Sequence, residues 1–170
     1  DPRLSSQWHY YNDGSLDKSH TAGADVNVVP VWENYTTGNP DVIVAVVDGG
    51  IDYEHEDLAA NYAGGFNFIR GTKKVVAHDH GTHVAGIIGG KDNYITGIAV
   101  DTQLVLLKVF PDLDAGGDTE DILAALEDAV LLGVDAINMS LGQSCGFARE
   151  VDEVQINEVY DRINESGISL

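Results

Sequence analysis

The chain has 170 residues, 44% of them hydrophobic, with 28 Asp and Glu against 9 Lys and Arg and a formal net charge of −19. So acidic a surface repels phosphate backbones and anionic lipid, which excludes nucleic acid and an anionic membrane surface as partners, while the apolar fraction is enough for a core and excludes a disordered chain. No run of about 18 apolar residues occurs, so no membrane span is expected, and the single cysteine, Cys145, has no partner within the chain for a disulfide.

No basic, apolar leader opens the chain, and Asp1-Pro2 is not a translation start, so the N-terminus reads as processed or trimmed. Residues 1–41 are polar and irregular, with turn signals at Asn12-Asp13-Gly14 and Gly38-Asn39-Pro40. Between them Ala24–Tyr35 is predicted to hold a short helix carrying Val28, Val31, Trp32 and Tyr35 on one side. Val42–Val47 is a β-branched run, the pattern of a strand buried on both faces, and Asp48-Gly49-Gly50 stops it. Phe66–Ile69 is a second strand candidate. From His80 to about Gly89 the spacing is helical. Gln103–Val109 reads as another buried strand. Asp118–Leu132 reads as a helix capped by Asp118 or Thr119 and ended by Gly133. Val134–Met139 is the next strand and Arg149–Glu165 the next helix, closed by Gly167. Ile168–Leu170 resembles the first residues of one more strand.

This alternation predicts an α/β fold: a three-layer, doubly wound, mostly parallel sheet with helices on both faces and right-handed crossovers. Sites in such sheets form beyond the carboxyl ends of the strands, where Asp48 and Ser140 both fall. A chain that stops as a core strand begins is expected to be incomplete. Residues 1–170 are therefore read as the N-terminal portion of one domain, with 1–41 an N-terminal extension and 42–170 the start of the α/β core. The remainder is expected beyond residue 170 or in a separate chain.

The stretch "HDHGTHVAGIIGG" at 78–90 places His78, His80 and His83 within six residues. A helical zinc site of the H-E-x-x-H type needs two His at i and i+4 with a Glu after the first. Here the pair is i, i+3, and Gly81 stands where the Glu would be. The hydrolase reading fits better. A buried carboxylate fixes an imidazole's tautomer and stabilises its charged form, so that the ring can take a proton from a nucleophile. Asp48, at a strand end, suits the first role. His80, at a helix start beside a glycine that lets a substrate backbone approach, suits the second. Taken singly, Asp48 is equally an ordinary turn aspartate, His80 a capping residue and His83 a satisfied core histidine. Their combination at the site end of a parallel sheet favours a site.

The blocks "VAVVDGGIDYEHEDL" (44–58), "HGTHVAGIIGG" (80–90), "GIAVDTQLVLLKV" (97–109) and "INMSLG" (137–142) resemble, in order, those of the subtilisin-like serine proteases. "QWHYYN" at 7–12 resembles the region before the first strand in mature members. The resemblance implies that Asp48 is the triad aspartate and His80 the general base, with His83 a noncatalytic packing and hydrogen-bonding residue. It implies that Ser140, Leu141 and Gly142 flank the pocket for the residue before the scissile bond. Ala115, Gly116 and Gly117 would form the other edge strand that pairs with substrate main chain. It further implies a secreted or cell-envelope protein made with an inhibitory prosegment and acting on protein or peptide substrates.

Two blocks of the pattern are missing from the 170 residues: the G-T-S-x-A nucleophile segment and the A-A-G-N segment that supplies the oxyanion Asn. The function expected is therefore a serine endopeptidase whose Asp and His lie in this chain and whose Ser lies beyond residue 170, with this chain alone inactive. The alternatives are a catalytically inactive subtilisin-fold binding module or proteolytic remnant and, of a third class, a histidine-cluster metal protein. No cofactor is required for the chemistry. Asp57 matches a position that ligates structural calcium in relatives, but "KDNYIT" at 91–96 looks shorter than the loop completing that site, and a surface aspartate or helix cap is the plainer reading. The run Asp112, Asp114, Asp118, Glu120, Asp121 is read as a solvated acidic loop, against a preference for basic substrates. Cys145 is read as a lone small residue, against a bond to a cysteine beyond residue 170.

Overall fold

A computed structural model describes residues 3–91, 94–111, 116–142 and 150–170. The expectations placed on Asp112, Asp114, Ala115 and Cys145 lie outside the described residues. The chain folds as α1 (Val29–Asn34), β1 (Ile43–Asp48), β2 (Tyr62–Asn67), α2 (Asp79–Gly89), β3 (Gln103–Lys108), α3 (Thr119–Leu132), β4 (Ala136–Asn138) and α4 (Glu150–Glu165), after a 3-10 turn at Leu4–Ser6. The four strands form one parallel sheet in the order β2-β3-β1-β4.

Strand alternation sorts the β1 and β3 side chains into two layers. Val46, Leu104 and Leu106 face α2 and pack with Ala85, Ile51 and Leu58. Ala45, Val47 and Leu107 face the other way, against Ala125, Leu126 and Ala129 of α3 and Val159 and Ile163 of α4. Helices thus cover both faces, as the continuous apolar runs of β1 and β3 require. Ser169 bridges Ala136 in parallel, so residues 168–170 do begin to pair beside β4.

Helix boundaries follow their caps. Asp118 caps α3, its carboxylate accepting the Glu120 N–H at 3.1 Å, and Gly133 ends the helix in the left-handed region at φ 66°. Two expectations are corrected. β2 spans Tyr62–Asn67, not Phe66–Ile69, because pairing to β3 overrides the weak strand tendency of Gly64-Gly65; the ladder carries a bulge there, and a side chain at Gly65 would collide with Leu106. α1 lies inside the segment Ala24–Tyr35 as expected, but Tyr35, expected on the side carrying Val28, is 84% exposed while Val28 is buried.

Residues 3–41 are tied to the α/β core at several points. Tyr10 is buried and donates its hydroxyl to Ile87 O at 2.7 Å, and the Trp32 indole donates to Ile98 O at 2.8 Å. The Gln7 amide grips Thr96, donating to its carbonyl at 2.8 Å and accepting its N–H at 3.3 Å.

Candidate active site

Because the strands are parallel, their carboxyl ends share one edge of the sheet. β1 lies between β3 and β4, so Asp48, Lys108 and the residues after Asn138 converge there. Asp48 is 2% exposed. Its Oδ1 accepts the Gly49 N–H at 2.6 Å, and its Oδ2 lies 2.8 Å from His80 Nδ1. A carboxylate accepts, so Nδ1 carries the proton and Nε2 is left as the basic nitrogen. The His80 side chain is 55% exposed, and among the described residues its Nε2 has no hydrogen-bond partner. The pair is therefore an imidazole oriented from behind by a buried anion and open in front.

Helix α2 is pressed onto the turn after β1. A methyl group at Gly81 would fall on the Gly50 carbonyl oxygen and 2.8 Å from Asp48 Oδ1. Glycine there admits the chain's own backbone and carboxylate, which corrects the expectation that it clears a path for substrate. The Asp52 N–H donates to Thr82 Oγ1 at 2.8 Å, tying the same turn to the helix. Gly86 meets only the end of the Ile95 side chain.

The other predicted site residues fall into place unevenly. Gly116, Gly117, Leu141 and Gly142 line one cavity of about 400 Å³ with Phe110, Ile122, Met139 and Tyr160. Gly116 and Gly117 are not in a strand, contrary to expectation. A side chain at Gly117 would strike the Phe110 ring, so its absence lets that ring cross the cavity wall. Ser140 is exposed beside the cavity, its hydroxyl accepting the Asn138 amide at 2.9 Å. His83 is exposed rather than packed in the core; it faces a second cavity of about 400 Å³ with Asp52, His55 and Asp57.

Asp57 is not a surface residue: it is 1% exposed. Its Oδ1 accepts the Tyr94 N–H at 3.0 Å, and its Oδ2 accepts those of Tyr94 and Ile95 at 3.2 and 3.3 Å. The carboxylate is aimed at N–H donors of the 91–96 loop, which a cation would have to displace. Among the described residues no group of three or more His, Cys, Asp and Glu could hold a metal ion.

Two participants escaped the sequence reading. Lys108 is 1% exposed, and its ammonium group donates to Gly49 O and Phe110 O. It ties the turn after Asp48 to the chain entering the cavity; the signal was a lysine inside an otherwise apolar strand. His78 caps α2, its Nδ1 accepting the His80 N–H at 3.3 Å. No sequence signal marked it, because histidine is not among the usual helix caps.

Comparison with known proteins identifies the family and the fold. The subtilase family model (Peptidase_S8) matches residues 39–169. The chain is 30% identical over 186 aligned positions to the PI-type proteinase of Lactococcus lactis subsp. cremoris, covering 86% of this chain and 10% of that protein. It is 39% identical over 131 positions to the halolysin-like extracellular serine protease Nep of Natrialba magadii, covering 71% of this chain and 24% of that protein. Among solved structures, the serine protease of Aeromonas sobria superposes with a TM-score of 0.79 at 30% identity, over 95% of this chain and 29% of that one. The chain thus spans from a tenth to under a third of the length of these relatives, and on its matched residues and its fold it belongs to the subtilase family of proteases.

Proposed function

We propose that this chain supplies the acid–base half of a serine endopeptidase. The observation that carries the reading is the buried Asp48 carboxylate held 2.8 Å from Nδ1 of a half-open His80. His80 Nε2 takes the proton of a serine hydroxyl as that oxygen attacks a peptide carbonyl. Asp48 stabilises the imidazolium so formed. His80 then returns the proton to the departing amine, and water hydrolyses the acyl-enzyme with His80 again acting as base. The serine and the oxyanion donors come from sequence outside residues 1–170, on the same polypeptide or on another.

Substrate binds along the cavity between Gly116-Gly117 and Ser140-Leu141-Gly142, where exposed main chain accepts an extended peptide and the apolar wall takes a side chain. Secretion and an inhibitory prosegment are proposed from the family and from the extracellular Natrialba relative. No step calls for a metal ion.

The test is turnover of an unstructured protein substrate. The complete protein cleaves it, and residues 1–170 purified alone do not. Clear turnover by the isolated 1–170 chain overturns the claim that the nucleophile lies elsewhere. A complete protein that binds peptide without cleaving it favours a binding module.

A further inference from the structure

We propose that His78 is a positioning residue for His80. This rests on the catalytic reading of His80. Helix N-caps are ordinarily Ser, Thr, Asp or Asn, whose oxygens accept at any physiological pH. Here the cap is an imidazole. The backbone at His78 is extended, at φ −146° and ψ 130°, and its Nδ1 accepts the N–H of His80 itself. The second helical residue, whose side chain faces Asp48, is therefore the one whose backbone the cap holds.

The same ring braces the other member of the pair. A methyl group on Gly49 would lie 3.2 Å from His78 Cγ and 3.3 Å from its Nδ1, so the ring lies in contact with Gly49. Gly49 is the residue whose N–H bonds Asp48 Oδ1. One side chain thus touches the backbone behind the base and the backbone behind its anion.

Loss of the cap loosens the first turn of α2, and with it the fixed approach of His80 to substrate.

The test compares wild type with His78→Ala and His78→Asn in the complete protein. Removal of a cap is expected to lower kcat about fivefold with KM unchanged in His78→Ala, and His78→Asn, which can cap, restores it. Hydrogen exchange at residues 79–84, corrected for intrinsic rates, reads the same device without activity. Protection is high in wild type and in His78→Asn and low in His78→Ala. Equal protection in all three proteins overturns the proposal. If no form turns over substrate but protection follows this pattern, the catalytic reading fails and the positioning of His80 by His78 stands.

Discussion

Gly81→Ala is the substitution on which two familiar effects oppose each other. In an exposed helix, alanine is favoured over glycine by about 1 kcal/mol, because glycine loses more backbone entropy on ordering. At Gly81 the added methyl falls on the Gly50 carbonyl oxygen, 2.8 Å from Asp48 Oδ1 and 3.0 Å from its Cγ. These obstacles are backbone and a buried carboxylate, not the flexible end of a side chain, so α2 or the Asp48 turn must move as a unit. Overpacking costs of this kind run to about 1–3 kcal/mol, and two rigid obstacles put this one at the upper end. The net expectation is a loss of about 2 kcal/mol. Gly86→Ala, in the same helix, gains the same propensity and displaces only Ile95 Cδ1 at 2.9 Å, so it is expected to be within about 0.5 kcal/mol of wild type or above it. Urea unfolding of the complete protein, followed by far-UV circular dichroism, gives both numbers. If Gly81→Ala is as stable as Gly86→Ala, α2 is not pressed onto the Asp48–Gly50 turn, and the argument for a fixed Asp48–His80 geometry fails with it.

Asp48→Asn keeps the shape of the site but favours the wrong His80 tautomer. kcat is expected to fall about 10⁴-fold, a magnitude established for serine-protease triads including that of subtilisin rather than worked from this geometry; steady-state hydrolysis by the complete protein measures it, and a loss below tenfold refutes the role. Asp57→Asn weakens three N–H bonds to a buried anion and is expected to cost about 2 kcal/mol, read as a lower Tm, whereas a calcium chelator leaves the wild-type Tm where it was. A chelator-sensitive Tm contradicts the plainer reading of Asp57 as a carboxylate held by the Tyr94 and Ile95 N–H groups rather than a calcium ligand. Burial first, and the nearby His83 second, hold His9 below its usual 6.5. The unfolded chain then takes up that proton first as pH falls, so His9 contributes stability that is fully present above about pH 6.5 and is lost as acid is added below it. His9→Gln flattens the pH dependence of Tm in that window; an unchanged slope rules His9 out as its source.

The sheet and the Asp48–His80 pairing were legible in sequence because each rests on a short-range signal. β1 and β3 are continuous apolar runs, the caps at Asp118 and Gly133 stand at fixed offsets from α3, and Asp48 and His80 sit at element ends in blocks of distinctive spelling. What was missed depends on contacts between distant segments. Nothing local distinguishes a strand beginning at Tyr62 from a loop holding Gly64-Gly65 until β3 is beside it. The burial of Asp57 is created by donors 37 and 38 residues away, and Lys108 looks like an interruption of β3 until the Gly49 carbonyl is seen above it. Gly81 was rightly read as a close approach, but the group that approaches is the chain's own Gly50. His83, three residues after His80 and read as packed, points outward instead, toward the cavity with His55 and Asp57.

The most direct test of the central claim is labelling of the complete protein by a serine-reactive phosphonate, with the modified residue located by mass spectrometry. The account predicts stoichiometric labelling of one serine outside residues 1–170, abolished by His80→Ala. Labelling that survives His80→Ala unchanged, or no labelling at all in a folded wild-type protein, contradicts it.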